Sequence, residues 1–448
     1  MTGTISRLTG DRAAAYRAIT RYLPRLRARV GLTVFVLGTV LIPAPPASAA
    51  AGDLDPTFGG DGIVLTDMGT GLDVGLGLAI QDDDKSVVVG VVGADRKDVR
   101  FGVARYGLGG SLDATFGGGD GMVVTNFTPG DDEATAVAIQ ADGKIVVAGL
   151  AGPRIAIARY TTSGGLDPTF GGDGKVTTDL TPKVDYAWAV AIQEADDKIV
   201  VGGFAAGAGG RFAVARYDPD GTLDATFGGG DGWVATNFTP TYDYIDDITI
   251  QADGKIVAAG VANYYSRTGG AALARYEADG TLDAGFSGDG KILANVGPGF
   301  DGTYAVALQP ADQKIVAAGE TGKRFVVLRY DTAGMPDATF NGDGKAITNF
   351  TPGSDYADEV LVEGDGDIVA AGATDYFGRD GRFALVRYGT NGALDPSFSG
   401  DGRAMTNISR RTDRATGLGV QSDGKLVVAG YARYPVDSRF ALVRYLGA

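Results

Sequence analysis

Between Ala136 and Tyr160 the chain reads AVAIQ, then ADGK, then IVVAG, a short loop and IAIARY. Two β-branched runs alternate apolar with small or polar residues, and Asp-Gly-Lys separates them. Period-two alternation on both sides of a residue pair that tolerates positive φ spells strand, hairpin, strand. Variants return as VAIQEADDKIVVGG…FAVARY, ITIQADGKIVAAG…ALARY and VALQPADQKIVAAG…FVVLRY.

The recurrence has fixed punctuation. A Leu-Asp-x-x-Phe phrase begins at Leu54, Leu112, Leu166, Leu223, Leu282, Leu394 and, in weaker form as Met-x-Asp-x-x-Phe, at Met335. Gly-Asp-Gly follows, with aspartates at Asp61, Asp120, Asp173, Asp231, Asp289, Asp343 and Asp401. An Arg-Tyr pair closes each unit at Tyr106, Tyr160, Tyr217, Tyr276, Tyr330, Tyr388 and Tyr445, giving seven copies with a period of 53 to 59 residues. A strand-rich repeat of that length fits a propeller better than a solenoid. In one unit the pattern predicts strand a over Ile248–Gln251, b over Lys255–Gly260 and c over Ala271–Tyr276, with Trp233–Phe238 as the preceding strand d. The predicted fold is all-β: a seven-bladed β-propeller with four antiparallel strands per blade. The last unit lacks its own strand d, and Ile63–Asp67 can supply it, so the N-terminal strand is expected to complete the last blade and close the ring.

The phrases LDPTFGGDGKV, AVAIQADGKIVVAG and FALVRY resemble the delta-60 repeat family of bacterial secreted and surface proteins, regarded as β-propeller-like. The resemblance runs from Leu54 to Tyr445, with Asp82–Asp84 replacing the Asp-Gly turn of the first unit and Glu363 the usual Gln of the sixth. It implies a fold and an extracellular location, and no reaction.

Composition agrees and then restricts the chemistry. Of 448 residues 72 are Gly and 17 Pro, as many short strands and tight turns require. Cysteine is absent, which removes disulfides and thiolate metal sites. Histidine is absent too, which excludes Ser-His-Asp and Cys-His nucleophiles, imidazole zinc sites and histidine-ligated haem. Residues 1–49 carry basic residues from Arg7 to Arg29, an apolar Val30–Ile42 core and an Ala47-Ser48-Ala49 cleavage site, so an export signal is expected there and a single propeller domain over 50–448. That segment holds seven Arg and one Asp of the chain's 40 basic and 55 acidic residues, leaving 33 and 54, a net of −21. Such a surface repels nucleic acid and anionic lipid. A secreted or cell-surface monomer with no nucleic-acid partner and no membrane insertion of the mature chain is expected.

Residues present in every copy read as scaffold. Asp73, Asp132, Asp185, Asp243, Asp301, Asp355 and Asp413 each stand eight positions before the Gln (or Glu363) of strand a. A cation-binding carboxylate ring is one reading; the one adopted is that each bonds backbone amides at the entry to strand a, or pairs with the blade's Arg. Arg105, Arg159, Arg216, Arg275, Arg329, Arg387 and Arg444 are expected to form structural carboxylate bridges between blades. Asp218-Pro-Asp220-Gly has a partial calcium-loop spacing but reads first as a turn, so no cofactor is expected and calcium is the alternative. The N-x-S/T triplets at Asn126, Asn237, Asn349 and Asn407 follow from shared ancestry of the copies.

Recognition is sought in what differs between copies. The a–b turns are nearly uniform, whereas the b–c loops range from Glu320–Lys323 to long ones at Asn263–Gly270, Thr374–Arg382 and Tyr431–Ser438. The long loops carry Tyr264, Tyr265, Tyr376, Phe377, Tyr431 and Tyr434; the d–a loops on the same face are expected to add Tyr186, Trp188, Tyr242, Tyr244, Tyr304 and Tyr356. Aromatics on a polar loop surface suit a glycan or protein ligand, and loop-on-loop packing is the alternative. The expected function is a non-catalytic exported binding scaffold. Two alternatives are a carboxylate glycosidase or lyase, with Glu359, Glu363, Asp246 and Asp247 as possible members, and a purely structural surface module.

Overall fold

The computed structural model describes residues 50–447 apart from 70, 94–97, 208–209, 267–268, 377, 379 and 434–436. The export segment expected over residues 1–49 and the candidate aromatics Phe377 and Tyr434 lie outside the described residues. Apart from the strand that ends the described chain, strands pair only with near neighbours in sequence, as short hairpin connections dictate. They form five four-stranded antiparallel sheets and one sheet of eight strands. In each four-stranded sheet the order is a, b, c, d, for example Tyr244–Ile250, Ile256–Ala262, Gly270–Tyr276 and Lys291–Ala294. Strand d of one repeat thus precedes strand a of the next along the chain.

The eight-stranded sheet holds two such sets joined by a single parallel bridge, Leu72 to Ser438. One set runs Leu72–Ile80, Ser86–Gly93, Arg100–Tyr106 and Met122–Thr125; the other runs Asp413–Val420, Leu426–Arg433 and Ser438–Tyr445. The fourth strand of the latter set is Ile63–Thr66, which pairs antiparallel with Ser438–Tyr445 in the register Ile63 to Val443. A segment from the start of the described chain therefore completes the sheet formed by its end.

Strands b and c are apolar on both faces because the middle of each sheet is covered on both sides, whereas strand d, at its edge, is partly exposed. Core clusters draw on two successive repeats: Val200, Phe212 and Val214 pack with Ile245, Ile256 and Ala272. Val88, Ala104 and Tyr106 likewise pack with Val427, Ala429 and Leu442, from opposite ends of the sequence. Strand b is rich in Ala and Gly, which lets neighbouring sheets approach to close-packed density.

Strand a is longer than the alternation predicts. It starts at Tyr244 rather than Ile248, because a β-bulge between Ile245 and Asp247 interrupts the period of two. The same register shift falls at the same place in every repeat, from Gly75/Gly77 to Ala415/Gly417. A glycine in strand b makes room for it. A Cβ on Gly260 would lie 2.0 Å from the Tyr244 carbonyl oxygen, and one on Gly203 would lie 1.9 Å from that of Tyr186. Only a residue without a side chain tolerates that approach.

Candidate functional site

The two ends of each sheet are built differently. At one end sits the Arg-Tyr pair. Arg216 donates from Nε to Asp224 at 2.6 Å and from Nη2 to the Thr226 hydroxyl, and lies 4.7 Å over the Phe227 ring. Lys198 reaches the same carboxylate at 2.8 Å. Six of the guanidinia then extend to a carbonyl of another repeat, among them Arg159 to Pro219, Arg275 to Thr332, and Arg444 to Leu108 in the first repeat. The expected Arg–carboxylate bridge between repeats is thus corrected. The carboxylate belongs to the same sheet, eight residues after the Arg, and only the guanidinium–carbonyl bond crosses to the neighbour. The tyrosine supplies a second crossing, its buried hydroxyl bonding a threonine of the preceding strand d, as Tyr276 does Thr236 at 2.9 Å.

The sixth repeat departs from this clamp. Glu363 and Asp367 replace the Gln and Lys of the other copies, and Arg387 faces Glu363 at 2.7 Å, Asp395 at 3.1 Å, Asp367 at 3.3 Å and Asp365 at 3.4 Å. Burial pushes the Glu363 carboxyl up against the opposing pull of Arg387, and burial with Asp365 does the same to Asp367. Glu363 is thereby placed at the clamp end of its sheet, whereas Asp246 is the bulged residue of its strand a, and Asp247 and Glu359 stand just after the bulge of theirs. Asp247 accepts the Val306 amide of the next repeat at 2.8 Å, a structural bond.

At the opposite end the recurrent aspartates open strand a. Asp132 accepts the Phe127 and Thr128 amides and the Thr128 hydroxyl; Asp243 accepts Phe238, Thr239 and, from the b–c loop, Asn263. Each carboxylate is a loop staple that ties the d–a connection, and in places the b–c loop, to the sheet. Asp220 and Asp120 likewise close local turns by accepting the Thr222 and Met122 amides. Among the described residues no group of three or more carboxylates is arranged to hold a metal ion.

Beyond the staples lie the residues that differ between copies. Tyr186 and Trp188 fall on strand Asp185–Gln193, and Tyr244, Tyr304 and Tyr356 fall on the corresponding strands, so they are corrected from loop to strand residues. Tyr431 likewise lies on strand Leu426–Arg433. Tyr242, Tyr264, Tyr265 and Tyr376 are in connections, and Tyr265 is the most open of the described candidates at 50% exposure. Rings touch in a continuous chain: Tyr186 to Trp188 (5.9 Å), Trp188 to Tyr244 (5.0 Å), Tyr244 to Tyr264 (5.2 Å), Tyr264 to Tyr265 (5.2 Å) and Tyr265 to Tyr242 (4.8 Å). Tyr304, Tyr356 and Tyr376 form a second group, at 6.0 and 5.0 Å. Each a strand lies against those of the flanking repeats, Asp413–Val420 against Leu72–Ile80 included, so these groups share one end of the structure.

The sequence reading missed Arg414 and Asp358. Arg414 donates to both oxygens of buried Asp358, at 2.9 and 2.7 Å, and its guanidinium lies 5.0 Å from the Tyr356 and Tyr376 ring centres. The signal was available: Arg414 follows the staple Asp413 directly, where other copies have Tyr, Val, Glu or Gly.

Six segments, 140–170, 194–227, 251–286, 311–340, 363–398 and 421–447, match the family described as "Domain of unknown function (DUF5122) beta-propeller". This is a β-propeller repeat protein. No curated protein matches the chain. Among solved structures the propeller is similar to a streptogramin B lyase, with 9% identity, a TM-score of 0.53, and coverage of 86% of this chain and 97% of that one. It is also similar to virginiamycin B lyase from Staphylococcus aureus, solved with quinupristin as a variant that is catalytically inactive through replacement of a histidine by alanine. There the identity is 11% and the TM-score 0.52, over 85% of this chain and 98% of that one. At such identities the likeness extends to the fold alone.

Proposed function

We propose that the propeller is a seven-bladed ring, closed by the N-terminal strand, that acts after export as a non-catalytic module binding a glycan or protein at the end where strands a begin. The pairing of Ile63–Thr66 with Ser438–Tyr445 supports closure, as does the bond from Arg444 to Leu108, which repeats the contact that Arg105, Arg159, Arg216, Arg275 and Arg329 make with the copy after them.

One observation carries the binding reading. The same bulge recurs in each copy, held open by the same glycine, yet the bulged residue is never fixed: Leu76, Thr135, Trp188, Asp246, Tyr304, Asp358 and Thr416. Bulges re-aim side chains and cluster beside functional sites. A repeated device presenting side chains that vary between copies is what a recognition surface needs. Catalysis has less support. The similar virginiamycin lyase is inactive once a histidine is replaced, and this chain has no histidine. The carboxylates weighed for a glycosidase stand at opposite ends of the sheet or are engaged in backbone bonds.

The test is a screen of the full chain against glycans and peptides, repeated with Trp188→Ala and Tyr265→Ala. The expected result is a ligand whose affinity falls about tenfold or more in both variants, as removal of an aromatic anchor does. A ligand lost equally on substitution at the clamp end, or no ligand in any class, sinks the reading.

A further inference from the structure

The sixth clamp is the exception to a rule that the other six keep. In those six, Arg Nε donates at 2.6–2.9 Å to an Asp that stands three residues before a buried Phe, and the guanidinium lies 4.6–4.9 Å from that ring. A Lys at the end of the a–b turn reaches the same carboxylate, and a Gln stands at the end of strand a. In four copies the Gln carbonyl oxygen accepts from Arg Nη1 at 3.2–3.5 Å.

Arg387 is turned the other way. Its Nε faces Glu363 at 2.7 Å, and Nη1 is left for Asp395, the residue that its counterparts would bond through Nε. Among the described residues its partners are all carboxylates of its own repeat, so it neither lies over Phe398 nor crosses to the next turn. That next turn is built from both ends of the described chain: Gly52 donates to the Leu446 carbonyl and Leu446 to that of Asp53. Ser399 of the sixth repeat donates to the Ala51 carbonyl at 2.7 Å, as Gly171 does to Asp220 in the second. The junction without a guanidinium crossing is therefore the one that the N-terminal segment makes.

Two substitutions explain the turn. Glu363 stands for Gln and Asp367 for Lys, so one guanidinium meets four carboxylates. Glu363 Oε2 and Arg387 Nε are both buried, and their approach is not aligned for a hydrogen bond, which is a costly arrangement. A protonated Glu is neutral and has nearly the shape of Gln, so one proton gives this site the chemistry of the other six. The charges acting on Glu363 are Arg387 from strand c and Asp365 and Asp367 from its own turn; Asp395 also acts on Asp367. The fifth repeat brings Arg329, bonded to the Thr390 carbonyl, and the chain's start brings Asp53, which accepts the Ala50 amide. Burial raises Glu363 and Asp367 above their ordinary range. It would raise Asp395 too, but the Ser397 hydroxyl and amide outweigh it and hold that carboxyl low. In mild acid the carboxylate that keeps its charge against Arg387 is thus Asp395, with Asp365 exposed at the rim.

We propose that the sixth clamp is an acid-set latch: when Glu363 and Asp367 take up protons, Arg387 turns to the place its six counterparts hold, over Phe398 and against the turn that residues 50–53 build with Leu446. At neutral pH the latch is open and this junction lacks the crossing bond; in mild acid it matches the others. A group that binds its proton more tightly in the folded chain stabilises the fold at low pH and loses that contribution as pH rises through its folded value. The latch concerns the clamp end and stands apart from any ligand bound at the other.

Hydrogen exchange of the full chain reads the latch at the Ser399 amide. The Ser287 amide, which makes the same bond to Ala333 at another junction, is the internal control. With the intrinsic pH dependence of exchange removed, Ser399 is expected to gain about tenfold in protection relative to Ser287 between pH 7 and pH 5. Glu363→Gln is expected to show the protected value at both pH values, and Asp367→Lys to raise protection at pH 7 by restoring the shared Lys. Gln and Lys occupy these places in the other six copies, so both variants are expected to fold. The Arg387 Nε–H signal in a nitrogen NMR spectrum is expected to shift between pH 7 and pH 5 in the native chain and to stay put in Glu363→Gln, a readout that general stiffening would not move. Ser399 protection that tracks Ser287 at both pH values, a Glu363→Gln chain that exchanges like the native one at pH 7, or an Arg387 signal unmoved by pH overturns the proposal.

Discussion

Aspartate stands at both ends of every sheet, and the two sets live in opposite electrostatic surroundings. At the clamp end Asp55, Asp113, Asp167 and Asp283 are half-wrapped by hydroxyls, amides, an arginine and a lysine. Burial alone would raise them, but those donors prevail and hold each at about 2. At the other end Asp73, Asp185 and Asp413 are deeper and bond mainly neutral amides and hydroxyls, so burial prevails and pushes them up, Asp73 to about 6. One end spends charge on joining repeats, and the other uses neutral donors to shape loops. The lesson is that repetition of a residue does not fix its role; its donors do.

The sharpest way to break that contrast is to remove one carboxylate from the clamp. Asp224→Ala leaves Arg216 buried and Lys198 half-buried without their shared partner. Loss of one member of a buried pair costs roughly 3–5 kcal/mol. Tyr265→Ala, at the half-exposed rim of the aromatic face, is expected to change stability by less than about 0.5 kcal/mol. Urea unfolding of the two variants measures the difference, and similar losses at both ends would show that the clamp is no more structural than the rim.

A smaller effect is expected where the bulge meets strand b. Gly260→Ala sets a methyl against the Tyr244 carbonyl and forces the bulge to shift, at roughly 2–3 kcal/mol. Gly109→Ala, with nothing near its added methyl, is the control and is expected to stay within about 0.5 kcal/mol. Because the bulge carries Asp246, Gly260→Ala is also expected to weaken any ligand held beside it. A variant as stable as the control would mean that the glycine is incidental to the bulge.

The same bulge marks where the sequence could be read and where it could not. Strands b, c and d follow from alternation and from the Asp-Gly turns, and Trp233–Thr236, Ile256–Ala262 and Gly270–Tyr276 lie within a few residues of their expected bounds. The start of strand a was lost because an inserted residue breaks the period of two, so Tyr186, Tyr244, Tyr304 and Tyr356 looked like loop residues. The Arg–Asp pairing was legible as chemistry but not as connectivity, since eight residues of separation do not say whether a turn or a neighbouring sheet brings the partners together. The Arg414–Asp358 pair, 56 residues apart, needed three dimensions; in sequence it is one arginine at a position that varies between copies.

The mildest test uses pH, because Asp73 and the clamp aspartates should move stability in opposite directions. Asp73, raised to about 6 from an ordinary 3.8, binds its proton more tightly in the folded chain. Its contribution to stability is fully present below about pH 4 and is lost as pH rises through 6. The clamp aspartates, held near 2, contribute above about pH 4 and lose that contribution only as pH falls toward 2. Between pH 5 and 7 the clamp is therefore silent and Asp73 is not. Relative to Asp73→Asn, the native chain should gain about 1–2 kcal/mol on going from pH 7 to pH 5, allowing for relaxation of the Met68 loop whose amide the carboxylate accepts at 2.8 Å. The comparison is a difference of two unfolding curves, so titration of the denatured chain at other sites cancels. A flat difference across that window would place Asp73 among the clamp-type carboxylates and erase the distinction between the two ends at that position.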